Sequence, residues 1–274
     1  MKWTENDIEI LKKEFKNGSK HTALILNRSV SSVTHKAHIL NLKVSKDIIS
    51  EICSLNGSKY RGLKKSYRVD DLTKNINEYT SYIFGLIWSD GYVHFGRSNV
   101  SISMIREDLL DIDHIFKKTG NWYIQDRNRK NRKPSRTMNG YNPNFTDSLL
   151  DLDFKEKSYK SPYKIFNIIP DVYKKYFIRG IIDGDGCFYI GKNGCYQMSI
   201  ASTYDQDWSL YLDFFKNLGL YFRVVKKISK TGKSSAIRLT SKKSIMVLVK
   251  WLYDDYLDNS IGLSRKYNKS LLYL

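Results

Sequence analysis

The run YIFGLIWSDGYV, which begins at Tyr82, returns as YFIRGIIDGDGCF, which begins at Tyr176, so that Gly85, Asp90 and Gly91 each stand 95 positions before Gly180, Asp185 and Gly186. An in-register duplication constrains the fold more than composition does: each copy must build the same supersecondary unit, and the two units must meet in a shared interface. The segments behind the two runs agree as well. An alternating stretch (Val100, Ile102, Met104; Met198, Ile200) leads to an amphipathic helix (Leu109, Ile112, Ile115, Phe116; Trp208, Leu212, Phe215, Leu218). A basic hairpin follows, and then Phe145–Leu150 or Leu239–Ser244 opens a last helix. Each unit therefore reads helix, two strands, helix, two strands, helix, which predicts a pseudo-two-fold α+β protein.

Within the repeated run, Gly85 and Ser89 are four residues apart, as are Gly180 and Gly184. On helices these small residues share a face and let two backbones approach closely, so they are assigned to an interface between the motif helices. Each helix should stop at Asp-Gly, with Gly91 or Gly186 in the left-handed conformation that closes a helix end. Asp90 and Asp185 would then sit side by side at the negative ends of two helix dipoles, which costs free energy unless a cation is present. One Ser-Asp-Gly alone would be an ordinary cap; its duplication in register points to a paired site. Hard oxygen ligands with open water positions suit Mg²⁺, and two acids serving adjacent metals suit in-line attack of water on a phosphodiester. Asp183 is read differently: it aligns with Trp88, so it is expected to be structural or peripheral. A calcium-binding EF-hand is excluded, because the run lacks the further ligands at the required spacing.

Charge supports a phosphate-rich partner. Lys and Arg number 46 against 28 Asp and Glu, a formal +18, while 41% hydrophobic and 14% aromatic content supplies packed cores and argues against general disorder. The three cysteines, Cys53, Cys187 and Cys195, are odd in number and form no C-x-x-C pair, so neither a disulfide framework nor a zinc ribbon is indicated; buried, reduced thiols are expected. No apolar run is long enough to span a membrane, and the first residues mix acids with bases, unlike a signal peptide. The expectation is a soluble, unsecreted, cytoplasmic protein, in a bacterial or phage-infected cell; an organelle would satisfy the same composition.

Residues 1–45 read as three short helices, Trp3 to about Phe15, His21 to about Leu26 and Ser31 to about Leu40, with Ser31 or Ser32 capping the third. Val33, Ala37 and Leu40 share one face of that helix, which leaves Thr34, His35, Lys36 and His38 for solvent or a DNA groove. A small helical protein-binding module is the alternative. Residues 46–77 lose periodicity and are read as a basic linker, laid along phosphates or simply solvated. The repeats then occupy 78–172 and 173–274.

Two stretches concentrate positive charge: 126–136 holds six bases and one acid, and 222–243 holds eight bases and no acid. They occupy equivalent places in the repeat and resemble hairpins whose outer face can enter a major groove. Tyr123, Gln125, Arg127 and Arg129 are expected to project together, with Arg132 and Lys133 further along the same run. The corresponding set is Gln197, Ser199, Arg223, Lys227 and Ser229, joined by Lys226, Lys230, Lys233 and Arg238. Arg and Gln can read bases, whereas Lys mostly positions the backbone. Two diverged halves in one chain would recognise a long asymmetric duplex.

Taken together, the two runs resemble the motif of LAGLIDADG homing endonucleases of the two-motif, single-chain type, over about residues 78–274. Lys157-Ser158, Ile169-Pro170 and LDNSIGLSRKYNK near the C-terminus belong to the resemblance, and the first copy departs from the pattern at Phe84, Trp88 and Ser89. The resemblance implies a duplicated αββαββα domain with saddle-like antiparallel sheets. It implies metal sites at Asp90 and Asp185, with Gly91 and Gly186 beside them, and Mg²⁺ as cofactor, for which Mn²⁺ substitutes. It further implies basic residues near the scissile phosphates; Lys157 and Lys266 match, with Lys160 and Arg265 competing for the same roles. The segment WTENDIEILKK and LNRSVSSVTHKAHILNLK is similar to the Myb-like or resolvase-like helix-turn-helix that precedes many such domains. The implied activity is site-specific double-strand DNA cleavage leaving 3′ overhangs, by a monomer encoded by a mobile intron, an intein-like element or a free-standing phage gene. Intron RNA is a further partner the resemblance allows. The alternative is a cleavage-inactive nucleic-acid-binding protein of the same fold, an RNA-splicing maturase or a transcription regulator.

Overall fold

The computed structural model describes residues 3–45, 47–48, 68–128, 130–229 and 232–274. The chain divides into two compact units, residues 1–66 and 67–274. In the first, α1 (Glu5–Glu14), α2 (Ser19–Ile25) and α3 (Val30–Ile39) enclose a small core of Leu11, Phe15, Ala23, Val33 and Ala37. Thr4 starts α1 through a reciprocal box, its hydroxyl accepting from Asp7 N at 3.1 Å while Asp7 Oδ2 accepts from Thr4 N at 3.1 Å. Gly18, at φ +102°, turns the chain into α2. The third helix begins earlier than expected: Ser29, rather than Ser31 or Ser32, is the cap, and accepts from Ser32 N at 3.2 Å. Cap geometry selects Ser29 because its backbone is extended while the two later serines already lie inside the first turn.

The second unit holds the duplication. Its first half runs α4 (Glu78–Ser89), β1 (Gly91–His94), β2 (Asn99–Ile105), α5 (Arg106–Asp111), α6 (Asp113–Lys117), β3 (Tyr123–Arg127), β4 (Ser135–Tyr141) and α7 (Pro143–Asp151). After the short α8 (Tyr163–Ile168), the second half repeats the order as α9 (Lys174–Asp185), β5 (Gly186–Ile190), β6 (Tyr196–Thr203), α10 (Ser209–Asn217), β7 (Arg223–Ser229), β8 (Gly232–Leu239) and α11 (Lys242–Tyr253). It ends with α12 (Tyr256–Asn259) and α13 (Ser264–Leu271). Both sheets are four-stranded and antiparallel with the same order, β1-β2-β4-β3 and β5-β6-β8-β7. This is the α+β duplication that the periodicity predicts. The single helix expected over Leu109–Phe116 is two short ones broken at Ile112, which stays buried, so the apolar stripe survives the break.

Strand alternation sorts each sheet into two faces. Val100, Ile102 and Met138 in one half, with Met198, Ile200 and Ile237 in the other, point inward to a core that is continuous across both halves and includes α4 and α9. The linker expected over 46–77 ends earlier than its composition suggests. Val69 and Leu72 are each 1% exposed, and Asn142 Nδ2 donates to the Val69 carbonyl at 2.9 Å, so residues 68–77 belong to the packed unit. Two apolar side chains within a charged stretch are enough to dock it. The expectation of buried thiols also fails: Cys187 lies on the outer face of β5 and Cys195 in the β5–β6 turn, and both are exposed. Cys53 lies outside the described residues. Among the described residues, no helix is long and apolar enough to cross a membrane.

Candidate active site and nucleic-acid interface

The motif helices α4 and α9 cross at their glycines. A β-carbon on Gly85 would overlap the Phe177 carbonyl oxygen, and one on Gly180 would stand 2.9 Å from Leu86 N. One turn later Gly184 faces Ser89, where an added β-carbon would lie 2.7 Å from the Ser89 Cβ and 3.1 Å from Asp90 Oδ2. The four small residues named from spacing are thus the contact between the two halves, and their size sets how near Asp90 and Asp185 come. The following glycines serve in another way than expected. Neither Gly91 nor Gly186 has a positive φ; Gly186 is extended at φ −81° and ψ 151°. What demands glycine is close approach, since a β-carbon would stand 2.7 Å from the Ile87 carbonyl oxygen at Gly91 and 2.8 Å from the Ile182 Cα at Gly186.

Asp90 and Asp185 lie where the helices end and the first strands begin. Asp90 keeps an open edge to solvent and Asp185 is half-buried. Enough protein nevertheless surrounds both to raise their pKa values, burial being the main cause at each. For Asp185 the neighbouring Asp90 charge adds to burial and the value rises to about 6, while Lys157 and Lys266 oppose the shift. Among the described residues, no donor makes a hydrogen bond to either carboxylate. A cleft beside Asp185 is walled by Trp88, Lys157, Trp208 and Tyr211.

The two lysines occupy matching positions beneath this pair. Lys157 Nζ donates to the carbonyl oxygens of Ile87, Trp88 and Ser89 at 3.0, 2.8 and 2.7 Å, which are orphan acceptors at the C-terminus of α4. Lys266 Nζ donates to the Ile182 carbonyl at 3.2 Å and to that of Gly186, at the end of α9. Each lysine therefore places a positive charge on the negative end of a motif helix, which is what allows a carboxylate to remain there. Burial pulls Lys157 down to about 8 against the raising effect of Asp185 and Asp90, and lowers Lys266 in the same direction. The competing candidates are engaged elsewhere: Lys160 pairs with Glu156 and Asp153, and Arg265 forms a bidentate pair with Asp108 at 2.6 Å on both arms. The Gly186 carbonyl is an acceptor for Lys266, so a cation there would share it.

Both lysine-bearing segments reach across to the other half. Ser264 N donates to Asp111 Oδ2 at 2.6 Å beside the Arg265–Asp108 pair, which fastens the start of α13 to α5. In the counterpart, Thr203 donates to the Ser158 carbonyl, Asp207 N to that of Tyr159 at 2.8 Å, and Gln206 Nε2 to that of Lys160 at 2.8 Å. Asp183 is structural, as its alignment with Trp88 suggests. Its Oδ2 accepts from Tyr82 Oη at 2.7 Å and from Leu263 N at 2.8 Å, so it joins α4 to the chain entering α13. Arg179, fully buried, donates to the carbonyls of Leu252 and Ile261 and to Asp255. Sequence reading misses these links, because the partners stand at least 45 positions apart in sequence. The one local signal is Gly262, at φ +134° within LDNSIGLSRKYNK, where a side chain would meet Arg179 and Asp183.

Register places the other candidates. Tyr123, Gln125 and Arg127 alternate onto the outer face of the first sheet, opposite Asn139, Thr137 and Ser135 of β4. Arg132 and Lys133 are exposed in the β3–β4 loop, and Arg129 lies outside the described residues. On the second sheet Gln197, Ser199, Arg223, Lys227, Ser229 and Arg238 share the outer face. Lys226 and Lys233 do not. They alternate to the opposite face, where both lie over the Tyr204 ring at 4.6 and 5.8 Å. Lys230 lies outside the described residues. On α3, Thr34, His35 and His38 are exposed, whereas Lys36 is half-buried against Trp3.

No family model matches this chain, and no curated protein matches it. Among solved structures, the I-LtrWI LAGLIDADG homing endonuclease bound to target DNA is 16% identical, with 73% of this chain and 90% of that chain covered at a TM-score of 0.45. The homing endonuclease I-WcaI bound to its DNA recognition sequence is 13% identical, with 77% and 91% covered at a TM-score of 0.49. Full-length DUF199/WhiA from Thermatoga maritima is 14% identical, with 74% and 63% covered at a TM-score of 0.44.

Proposed function

We propose that this chain is a site-specific DNA endonuclease that hydrolyses phosphodiester bonds with divalent metal, Mg²⁺ or Mn²⁺, and leaves 3′ overhangs. The observation that carries the reading is the convergence of Asp90 and Asp185 at two helix ends, with burial and mutual repulsion raising Asp185 and no donor among the described residues satisfying either carboxylate. Two adjacent acceptor-only groups kept charged by Lys157 and Lys266 fit hard cations that hold most of their remaining ligands as water or phosphate oxygen. Asp90 and Asp185 would hold the metal, with the Gly91 and Gly186 carbonyls alongside. The bound metal would supply activated water and charge stabilisation at the phosphate. The chain's own residues set its position: Gly85, Ser89, Gly180 and Gly184 fix the spacing of the acids. Lys157 and Lys266, protonated and bonded to carbonyls, hold the helix ends and offset the carboxylate charges.

The outer faces of the two sheets, whose first strands leave Asp90 and Asp185, carry Gln, Asn, Tyr and Arg in diverged sets, which suits a long duplex without two-fold sequence symmetry. The chain would act as a monomer, since both acids are in one polypeptide. The α1–α3 unit, read as a helix-turn-helix, would add affinity or extend the footprint through Thr34, His35, Lys36 and His38. A mobile intron, intein-like element or phage gene, acting in a bacterial cytoplasm, is the setting this activity fits.

Purified protein incubated with a genome-scale duplex library, with and without Mg²⁺, tests the reading. Metal-dependent ends at one asymmetric site, lost in Asp90→Asn and Asp185→Asn while binding persists, are expected. Specific binding to duplex or intron RNA with no cleavage by wild type would replace it with the maturase or regulator reading.

A further inference from the structure

The two sheets can be superposed row by row from the motif glycines, because Gly91 pairs with Ile102 as Gly186 pairs with Ile200. The next outer row is Tyr92, Ser101, Asn139 and Tyr123 in the first sheet, and Cys187, Ser199, Arg238 and Arg223 in the second. Asn139 and Arg238 are therefore equivalent positions on the third strand of each sheet, and Tyr123 and Arg223 on the edge strand beside it.

The second row carries an unresolved cost. Arg238 and Arg223 stand directly opposite each other on β8 and β7, where like charges destabilise a sheet. No acidic residue lies in this row. Among the described residues, Arg238 Nε is buried without an acceptor and Arg223 reaches only Thr240 Oγ1, at 3.5 Å. The matching row of the first sheet carries no arginine: Arg136, on the inner face, is paired with Asp126 at 2.7 and 2.9 Å, and Arg127, two rows further along the outer face, donates to Gln125 Oε1 at 3.1 Å. Two planar forks without acid partners, projecting from a sheet face, match the two acceptors that guanine presents in the major groove, whereas a carboxamide matches the donor and acceptor of adenine.

We infer that the two halves read different bases at pseudo-symmetric places: Arg238, supported by Arg223, reads a guanine in one half-site, and Asn139 reads an adenine in the other. The inference rests on the proposed DNA-binding reading and adds the identity of the bases. Apolar side chains in the adjoining row, Ala201, Ala236 and Val225, provide contact for a thymine methyl. Rows on one face are two residues apart, close to 7 Å or about two base-pair steps. The thymine is therefore expected about two base pairs from the guanine.

Full-length protein carrying Asp90→Asn and Asp185→Asn, which binds without cutting, would be used to enrich sites from a randomised duplex library at physiological ionic strength. The expected motif has G·C at one position and A·T at its pseudo-symmetric mate. Arg223→Ala should weaken binding to the guanine site roughly tenfold or more while sparing duplexes with other bases there. Exchanging Arg238→Asn with Asn139→Arg should exchange the two preferences. If both arginine variants weaken every sequence equally, the arginines hold phosphates and the inference falls while the nuclease reading stands. A motif that is the same base at both positions also overturns it. No enriched motif, together with no cleavage by wild type, would remove the functional reading as well. Urea melts identify variants that fail to fold; if Arg238→Asn does, Arg223→Ala on the exposed edge strand decides the question.

Discussion

A β-carbon added to Gly85 would stand 3.0 Å from the Gly180 Cα, and one added to Gly180 would stand 3.0 Å from the Gly85 Cα. The mutual contact means that neither position can yield by moving a flexible side chain, because backbone meets backbone. Gly85→Ala and Gly180→Ala should each destabilise the repeat unit by about 1–3 kcal/mol or more, as overpacking does, despite alanine's better helix propensity. Urea unfolding checks this, and an unchanged midpoint in either variant would refute the close crossing. Cleavage should fall further than stability does, since separating the helices separates Asp90 from Asp185.

The raised value of Asp185, about 6, gives a pH dependence with a definite sign. The folded carboxyl binds its proton more tightly than the unfolded one does, so its stabilising contribution is present below the unfolded pKa and is lost as pH rises through about 6. Metal-free protein with Asp185→Asn should therefore melt higher than wild type at pH 7.5 and show no such gain at pH 4. Calorimetry at the two pH values tests the difference; equal gains would mean that the carboxyl is not perturbed.

Metal binding should reverse that ordering. Mg²⁺ is expected to raise the melting temperature of wild type in a concentration-dependent way and to leave Asp90→Asn/Asp185→Asn unchanged. Because Mg²⁺ requires ionised carboxylates, the rise should shrink as pH falls through about 6. Thermal melts over a Mg²⁺ titration at several pH values provide the check.

Lys157→Met would leave the carbonyls of Ile87, Trp88 and Ser89 without their shared donor. A buried unsatisfied group costs about 1–3 kcal/mol, so a loss of at least that size is expected, with a stronger stabilising response to Mg²⁺ because the helix end becomes more negative. Lys160→Met, which removes a surface pairing with Glu156 and Asp153, should be nearly silent. Comparing both variants by urea unfolding and DNA cleavage separates the two lysines.

Arg179→Leu should be the most damaging of the single changes outside the site. It strips the donor from two backbone carbonyls and leaves Asp255, which now lies well below the ordinary carboxylate range through Lys175, Tyr176 and Arg179, with one cation fewer. Leaving a buried carbonyl without its donor costs about 1–3 kcal/mol, and two are affected here. Chemical denaturation measures it, and a loss under about 1 kcal/mol would show that the carbonyls find other donors.

The sequence by itself determined the duplication, the order of elements, the strand alternation that faces Gln125 and Arg223 outward, and the small-residue contact at Gly85 and Gly180. These are local or periodic properties, and repetition in register makes them legible twice. It also singled out Asp90 and Asp185. Tertiary structure alone decided the rest. Gly91 and Gly186 are required by proximity to the preceding helical turn, which their left-handed propensity did not reveal. Lys226 and Lys233 fell on the inner face because of the register between β7 and β8, and a one-residue difference reverses the side of a sheet. The amines of Lys157 and Lys266 reach helix-end carbonyls whereas Lys160 and Arg265 pair with acids, and Asp183 gained its place through Tyr82 and Leu263. Such partners lie far apart in sequence, and hydrogen bonds between them leave no periodic trace; only the folded chain brings donor and acceptor within reach.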